Sequence, residues 1–188
     1  MTTLHAYDIH VENLFEIIAR MRALMDAAGV DYRVIGGMAI YLQVHERDPR
    51  RARLTDDVDV SIRRADLNKI ATEAPNFGFR YRHAAGVDLL VDLRAPKTRS
   101  GVHFVFAGEK VRPDYLEPVP DLSSMPRILD GVLLASVADL VKMKLTSFRL
   151  KDQVHIQDLD GARLITGDVE AALSPELAAR LAQVRASR

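Results

Sequence analysis

The chain has 188 residues, a formal net charge of +0 from 26 basic and 26 acidic side chains, and no cysteine. This composition excludes disulfides and thiolate metal sites, and it leaves no global charge to attract nucleic acid or a membrane surface. No apolar run approaches the ~20 residues of a membrane span, and the first ten residues lack the pattern of a signal peptide. We therefore expect a cytoplasmic protein that binds no membrane.

Apolar spacing predicts that helices and strands alternate in the first half of the chain. In chain order, the predicted elements are a helix over 10–28, a strand at Arg33–Ile35, a helix over Met38–His45, a strand at Asp57–Ile62 and a helix over Arg64–Thr72. Gly36-Gly37 is expected to form a turn that connects the first strand to the second helix. A charged loop separates that helix from the second strand.

The second half is predicted to hold more strands and then helices. The strands are expected at Phe77–His83, Val87–Leu93, Val102–Ala107 and Gly131–Ala135, with an irregular connector over the proline-containing segment Arg112–Pro126. The helices are expected at Val137–Leu150, capped by Ser136, at Gln153–Leu164 and within Val169–Arg185. This order predicts an α+β protein, with a small mixed β-sheet flanked by helices over residues 1–135 and a C-terminal helical segment over 136–188 packed on it.

Asp57 and Asp59 are the best candidates for metal ligands. They alternate with Val58 and Val60, so an extended segment buries the valines and presents both carboxylates on the same face. Adjacent like charges are costly without a compensating cation, and oxygen ligands suit Mg²⁺ or Mn²⁺. A second pair of the same spacing occurs in the C-terminal half, so the spacing alone does not indicate a metal site, whereas the alternation with valines does.

Gly36 and Gly37 add a candidate phosphate site. Glycines allow the backbone to approach a ligand closely, and the N-terminus of the following helix directs free N–H groups at an anion. The alternative is a tight turn from strand to helix that binds no ligand.

The pattern V-I-G-G-M-A-I-Y followed by R-L-T-D-D-V-D-V resembles the core motif of the polymerase-beta-type nucleotidyltransferase superfamily. More narrowly, it is similar to the abortive-infection (AbiEii-like) and minimal nucleotidyltransferases, many of which act in toxin–antitoxin systems. The resemblance implies a nucleotidyltransferase core in which Asp57 and Asp59 are catalytic and hold Mg²⁺ or Mn²⁺. Nucleotide binding is implied for Gly36, Gly37, Arg53 and Thr55.

The segment A-D-L-V-K-M-K-L-T-S-F-R-L-K-D-Q-V-H-I-Q-D-L resembles a helix pair of the same family. By position, the resemblance implies that Lys144, Ser147 and Arg149 bind nucleotide and that Asp152 and Asp158 form the acidic pair that follows. The alternative, without the family, is a solvated basic face on a helix whose apolar side packs inward.

A third carboxylate, which the family carries on a later strand, has two candidate positions. The phrase V-H-F-V-F at 102–106 places His103 where the acid is expected and makes it the candidate third catalytic residue. The phrase V-D-L-L-V-D at 87–92 offers Asp88 or Asp92 instead. An imidazole can act as a base but weakens magnesium binding, because Mg²⁺ prefers oxygen.

The function implied by the resemblance is metal-dependent transfer of a nucleoside monophosphate from a nucleoside triphosphate to a hydroxyl of RNA (such as tRNA), of a protein or of a small molecule. The alternative is a catalytically degenerate module that binds a nucleotide or a partner. Asp88 or Asp92 beside Asp57 and Asp59 favours the enzyme, and His103 there favours the module.

RNA contact is a further hypothesis for the charged loop. It holds four arginines that could contact phosphates, against the alternative of a solvated loop: Arg47, Arg50, Arg51 and Arg53. The sequence does not indicate the oligomeric state.

Overall fold

The computed structural model describes residues 3–95 and 101–187. The helices in this part are α1 (Thr3–Ala28), α2 (Gly36–Arg47), α3 (Leu67–Glu73), α4 (Val137–Ser147), α5 (Leu150–Gly161), α6 (Gly167–Ala171) and α7 (Pro175–Ala186). The strands are β1 (Tyr32–Ile35), β2 (Val58–Ile62), β3 (Phe79–Ala84), β4 (Val87–Asp92), β5 (Gly101–Phe106), β6 (Arg127–Leu129) and β7 (Val132–Leu134). Short 3-10 turns occur at Pro49–Arg51, Arg64–Asp66 and Ala74–Phe77.

The strands form one mixed sheet in the order β3-β4-β5-β2-β1-β7-β6. β2 lies at the centre, antiparallel to β1 and parallel to β5. Ile35 and His103 are the partners of Asp59 on its two sides. Because residues in register across a sheet lie on the same face, this pairing makes Asp59 and His103 direct neighbours. The predicted α+β class with a mixed sheet is confirmed.

The opposite face of β2 belongs to the core. Val58, Val60 and Ile62 are 0% exposed, as the alternation of the sequence predicts. Apolar side chains of α1 at helical spacing join the same cluster, including Leu14 and Met21. Burial of this face fixes the register of β2, because a slip of one residue would bury the carboxylates and expose the valines.

The C-terminal helices differ from the prediction in where they begin and end. α4 stops at Ser147 because Phe148 adopts a left-handed conformation, with φ of 51°, and α5 begins at Leu150, three residues earlier than predicted. Ser136 caps α4 as expected, its hydroxyl accepting a hydrogen bond from the Asp139 amide at 3.1 Å.

Strand β6 was not predicted, because three residues are too few to show a period, and it forms through its pairing with β7. None of the helices in the described ranges combines the length and the apolar character needed to span a bilayer.

Candidate functional site

Two glycines at the start of α2 make room for the side chains of the site. Gly36 has a φ of 69°, and a Cβ atom there would lie 2.1 Å from Asp59 Oδ2. A Cβ atom at Gly37 would lie 2.8 Å from Thr55 Oγ1. Both positions therefore require glycine, since a methyl group would push Asp59 and Thr55 out of place. The structure thus gives these glycines a packing role in addition to the predicted phosphate role.

Asp57, Asp59 and His103 form a cluster above the first turn of α2. The His103 Nδ1 atom lies 3.8 Å from Asp57 Oδ2 and 3.6 Å from Asp59 Oδ1. Each of the three side chains is about one third exposed or less, at 32%, 32% and 28%. Thr55 donates a hydrogen bond of 2.9 Å to Asp57 Oδ1, which orients that carboxylate. The three residues that the sequence proposed as catalytic thus lie together, with Thr55 in support.

The donor set of this cluster suits a divalent cation. One oxygen from each carboxylate and one imidazole nitrogen lie within 4.8 Å of one another. Carboxylate oxygen and neutral imidazole are both metal ligands in proteins. Contact with the Asp59 carboxylate raises the pKa of His103, burial opposes this shift, and the charge of Asp57 adds to it.

The two alternative third carboxylates lie outside the site. Asp88 accepts a hydrogen bond of 2.5 Å from the Tyr81 hydroxyl, and it pairs with His83 Nδ1 at 2.9 Å. Asp92 pairs with Arg20 of α1. Asp88 is in register with Phe104, the neighbour of His103, so its side chain lies on the opposite face of the sheet.

The predicted nucleotide-binding residues at the end of α4 and just before α5 surround a buried carboxylate. Asp152 is 0% exposed and accepts hydrogen bonds from Lys144 Nζ at 2.9 Å, Ser147 Oγ at 2.8 Å and Arg149 Nε at 2.7 Å. Burial opposes ionisation of Asp152, but the Arg149 hydrogen bond and the Lys144 charge outweigh burial and hold the pKa of this carboxyl well below its usual range.

Lys144 is itself buried, so a solvated basic face is the wrong interpretation for this residue.

A cavity of about 210 Å³ is lined both by this basic cluster and by Asp59 of the acidic pair. Its lining residues include Gly36 and Asp59, and also the residues around Asp152: Lys144, Ser147 and Arg149. The charge of Asp59 also acts on the Arg149 guanidinium, whose pKa is raised chiefly by its hydrogen bond to Asp152. The tertiary structure therefore brings together two motifs that are far apart in sequence.

The proline-containing connector supplies a wall of this cavity that the sequence did not predict. Arg112, Tyr115 and Glu117 line it. Backbone hydrogen bonds of 2.9 Å between Gly108 and Val119 and between Val119 and Glu109 hold the connector in place. A signal was present, because an aromatic side chain follows a basic one in R-P-D-Y, but only the fold shows that it faces the site.

The predicted nucleotide ligand Arg53 and its neighbours in the charged loop contact other carboxylates. Arg53 Nε lies 2.9 Å from Asp158 on α5, with the arginine side chain 65% exposed. Asp48 pairs with Arg50 at 3.1 Å and with Arg51 at 3.4 Å. These arginines therefore have partners within the chain.

No protein-family model matches this sequence, and no curated protein matches it. Solved structures of two nucleotidyltransferase-related proteins resemble the fold. An antigenic nucleotidyltransferase-like protein from Paracoccidioides brasiliensis superimposes with a TM-score of 0.63 at 20% identity, over 94% of this chain and 89% of that one. The antibiotic-resistance factor ANT(2'')-Ia gives a TM-score of 0.55 at 13% identity, over 95% of this chain and 94% of that one.

The chain therefore has a nucleotidyltransferase fold, in agreement with the polymerase-beta-type resemblance of its sequence.

Proposed function

We propose that this protein is a metal-dependent nucleotidyltransferase that moves a nucleoside monophosphate from a nucleoside triphosphate to a hydroxyl group. One observation carries the proposal: the carboxylates of Asp57, directly before β2, and of Asp59, on β2, lie close together, and Asp59 lines a cavity with Gly36 of α2, Lys144 and Arg149. Two adjacent carboxylates are costly unless a cation compensates them. A triphosphate in turn needs that cation and further positive charge.

Each part of the site has a role in this reaction. Asp57 and Asp59 would hold the cation, which when bound neutralises phosphate charge and makes the α-phosphorus more electrophilic. Amide N–H groups at the start of α2 would bind phosphate oxygens. Arg149, 60% exposed and contacting Asp152 through Nε and Nη2, has further N–H groups for a phosphate. The acceptor hydroxyl then loses its proton to solvent, and its oxygen bonds to the α-phosphorus as the bond to pyrophosphate breaks. Catalysis comes from positioning and charge stabilisation.

A specific observation favours the second candidate, a nucleotide- or partner-binding module. His103 occupies the position beside Asp57 and Asp59 where the sequence leads us to expect a third carboxylate in an enzyme. We prefer the enzyme because the His103 imidazole, like the carboxylate it replaces, can bind a metal ion. In addition, a module without a metal would not need two mutually repelling carboxylates. Here Thr55 orients Asp57 by a hydrogen bond, and Gly36 leaves the space that Asp59 occupies.

The test is transfer of label from each of the four α-labelled nucleoside triphosphates, with Mg²⁺ or Mn²⁺. The acceptors are tRNA, cell proteins and a panel of small hydroxyl compounds, which includes antibiotics because ANT(2'')-Ia is an antibiotic-resistance factor. Asp57→Asn should abolish transfer. The matched control is Asp56→Asn, because the Asp56 side chain is adjacent but 96% exposed and should not be needed.

Label transferred by the wild type and by Asp56→Asn, but not by Asp57→Asn, supports the enzyme and identifies its nucleotide and acceptor. Nucleotide binding without transfer in any combination supports the module instead. An AbiEii-like grouping with a toxin–antitoxin role is proposed from the sequence resemblance, and growth arrest on expression that Asp57→Asn relieves would support a toxin. A cytoplasmic location is proposed separately, from the lack of a long apolar run in the sequence.

A further inference from the structure

We propose that Asp57, Asp59 and His103 form one mixed oxygen–nitrogen metal site that selects Mn²⁺ and Co²⁺ over Mg²⁺. The inference deepens the proposed function by naming the class of cation that this site takes. It stands on the position of His103, which the pairing of β5 with β2 places next to Asp59.

The three donor atoms are already arranged around a common point. Nδ1 of His103 lies 3.6 Å from Asp59 Oδ1 and 3.8 Å from Asp57 Oδ2. Ligands about 2.1 Å from a shared ion are ~3.0 Å apart at an octahedral right angle and ~3.4 Å apart at a tetrahedral angle. The observed separations are closer to the second value, so a small contraction of the cluster would suit an ion that tolerates angles wider than 90°.

The nitrogen donor sets the preference among cations. Mg²⁺ demands near-ideal octahedral geometry and oxygen ligands. Imidazole suits first-row transition ions, whose affinity for such a site rises from Mn²⁺ to Co²⁺. With His103 as the third donor, the cluster offers Mg²⁺ only two oxygens and offers a transition ion a complete set of three.

The surroundings hold these donors in place before any ion binds. Thr55 donates to Asp57 at 2.9 Å, and the lack of a side chain at Gly36 gives Asp59 the space it occupies. His103 is held by its strand, with pairing on both sides to β2 and β4. The cluster therefore pays little conformational entropy when it closes on a cation, which raises affinity for the ion that fits.

The competing explanation is an ion pair between a protonated His103 and the two carboxylates, with no metal function. Both explanations fit the distances, but they differ in what an added cation does. A metal site binds the ion through the imidazole nitrogen. An ion pair leaves the nitrogen uncoordinated, and any cation then binds through oxygen alone.

The experiment is direct titration of the full-length protein without nucleotide, by calorimetry for Mg²⁺, Mn²⁺ and Co²⁺ and by visible absorption for Co²⁺. The variants are His103→Asp, which restores an oxygen donor, and His103→Ala. His83→Asn is the matched control, because His83 pairs with Asp88 on the other face of the sheet. Circular dichroism shows whether each variant is folded.

We expect wild type and His83→Asn to bind Mn²⁺ and Co²⁺ at least ~10-fold more tightly than Mg²⁺. His103→Asp should reduce that ratio by about the same factor, and His103→Ala should weaken Co²⁺ binding and change its spectrum. Equal affinities in the wild type, or a ratio that His103→Asp leaves unchanged, would overturn the proposal.

Metal selectivity and group transfer fail separately in these experiments. Selective Mn²⁺ binding without label transfer in the nucleotide assay would uphold the site and reject the enzyme. Label transfer together with equal affinity for Mg²⁺ and Mn²⁺ would uphold the enzyme and reject the selectivity.

Discussion

Removal of the buried carboxylate of Asp152 should destabilise the protein strongly. Asp152 is fully buried and accepts hydrogen bonds from Lys144, Ser147 and Arg149. The Lys144 side chain is only 9% exposed, so Asp152→Ala leaves a buried ammonium group without its partner. Breaking a buried ion pair in this way costs about 3–5 kcal/mol. Relaxation of Lys144 toward the cavity would bring the value to the lower end of that range.

Urea unfolding at pH 7, followed by circular dichroism, measures this loss. The control is Lys151→Ala, an exposed neighbour on the same helix, which should change the free energy of unfolding by no more than ~0.5 kcal/mol. In a double-mutant cycle with Lys144→Met, the coupling energy should be about 2 kcal/mol or more. A loss below ~1 kcal/mol for Asp152→Ala, with an unchanged m-value, would refute the view that this carboxylate holds α4 and α5 together.

Three further predictions concern the turn, a buried histidine and the charged loop. Gly36→Ala should lower the urea midpoint and weaken Mn²⁺ binding, since its Cβ would lie 2.1 Å from Asp59 Oδ2; unchanged metal affinity would contradict this. Burial, then the charge of a nearby lysine, lowers the pKa of His155 to about 4, so the unfolded state binds the extra proton between pH 6.5 and 4. As the pH falls from 6.5 to 4, the free energy of unfolding should therefore decrease by roughly 3 kcal/mol more in the wild type than in His155→Leu. Parallel pH profiles of the two proteins would disprove this prediction. The Arg50→Ala/Arg51→Ala variant should change stability by less than ~1 kcal/mol, because the two arginine side chains are 90% and 51% exposed and water screens their pairs with Asp48. Salt-sensitive tRNA binding that this variant loses would support the RNA hypothesis for the loop.

Local patterns in the sequence predict much of the fold. The alternation in T-D-D-V-D-V buries Val58 and Val60 and leaves Asp57 and Asp59 partly exposed, as the two-residue period of a strand requires. The Gly36-Gly37 turn and the Ser136 cap also depend on a few consecutive residues, and the structure contains both.

Local patterns did not identify the residue that joins Asp57 and Asp59. V-D-L-L-V-D and V-H-F-V-F each form a strand with buried apolar residues, and nothing in either segment says which one pairs with β2. The parallel register that sets Asp59 against His103, while Asp88 faces the other way, is a non-local choice made by the whole sheet.

The sequence by itself determined which residues alternate, turn and cap, because these preferences arise from backbone geometry and burial over a few positions. Only the tertiary structure decided that His103 joins Asp57 and Asp59, and that Tyr115 of the connector and Arg149 before α5 line one cavity with Asp59. Contacts between residues far apart in the chain follow from how strands pair and helices pack, which local periods do not specify.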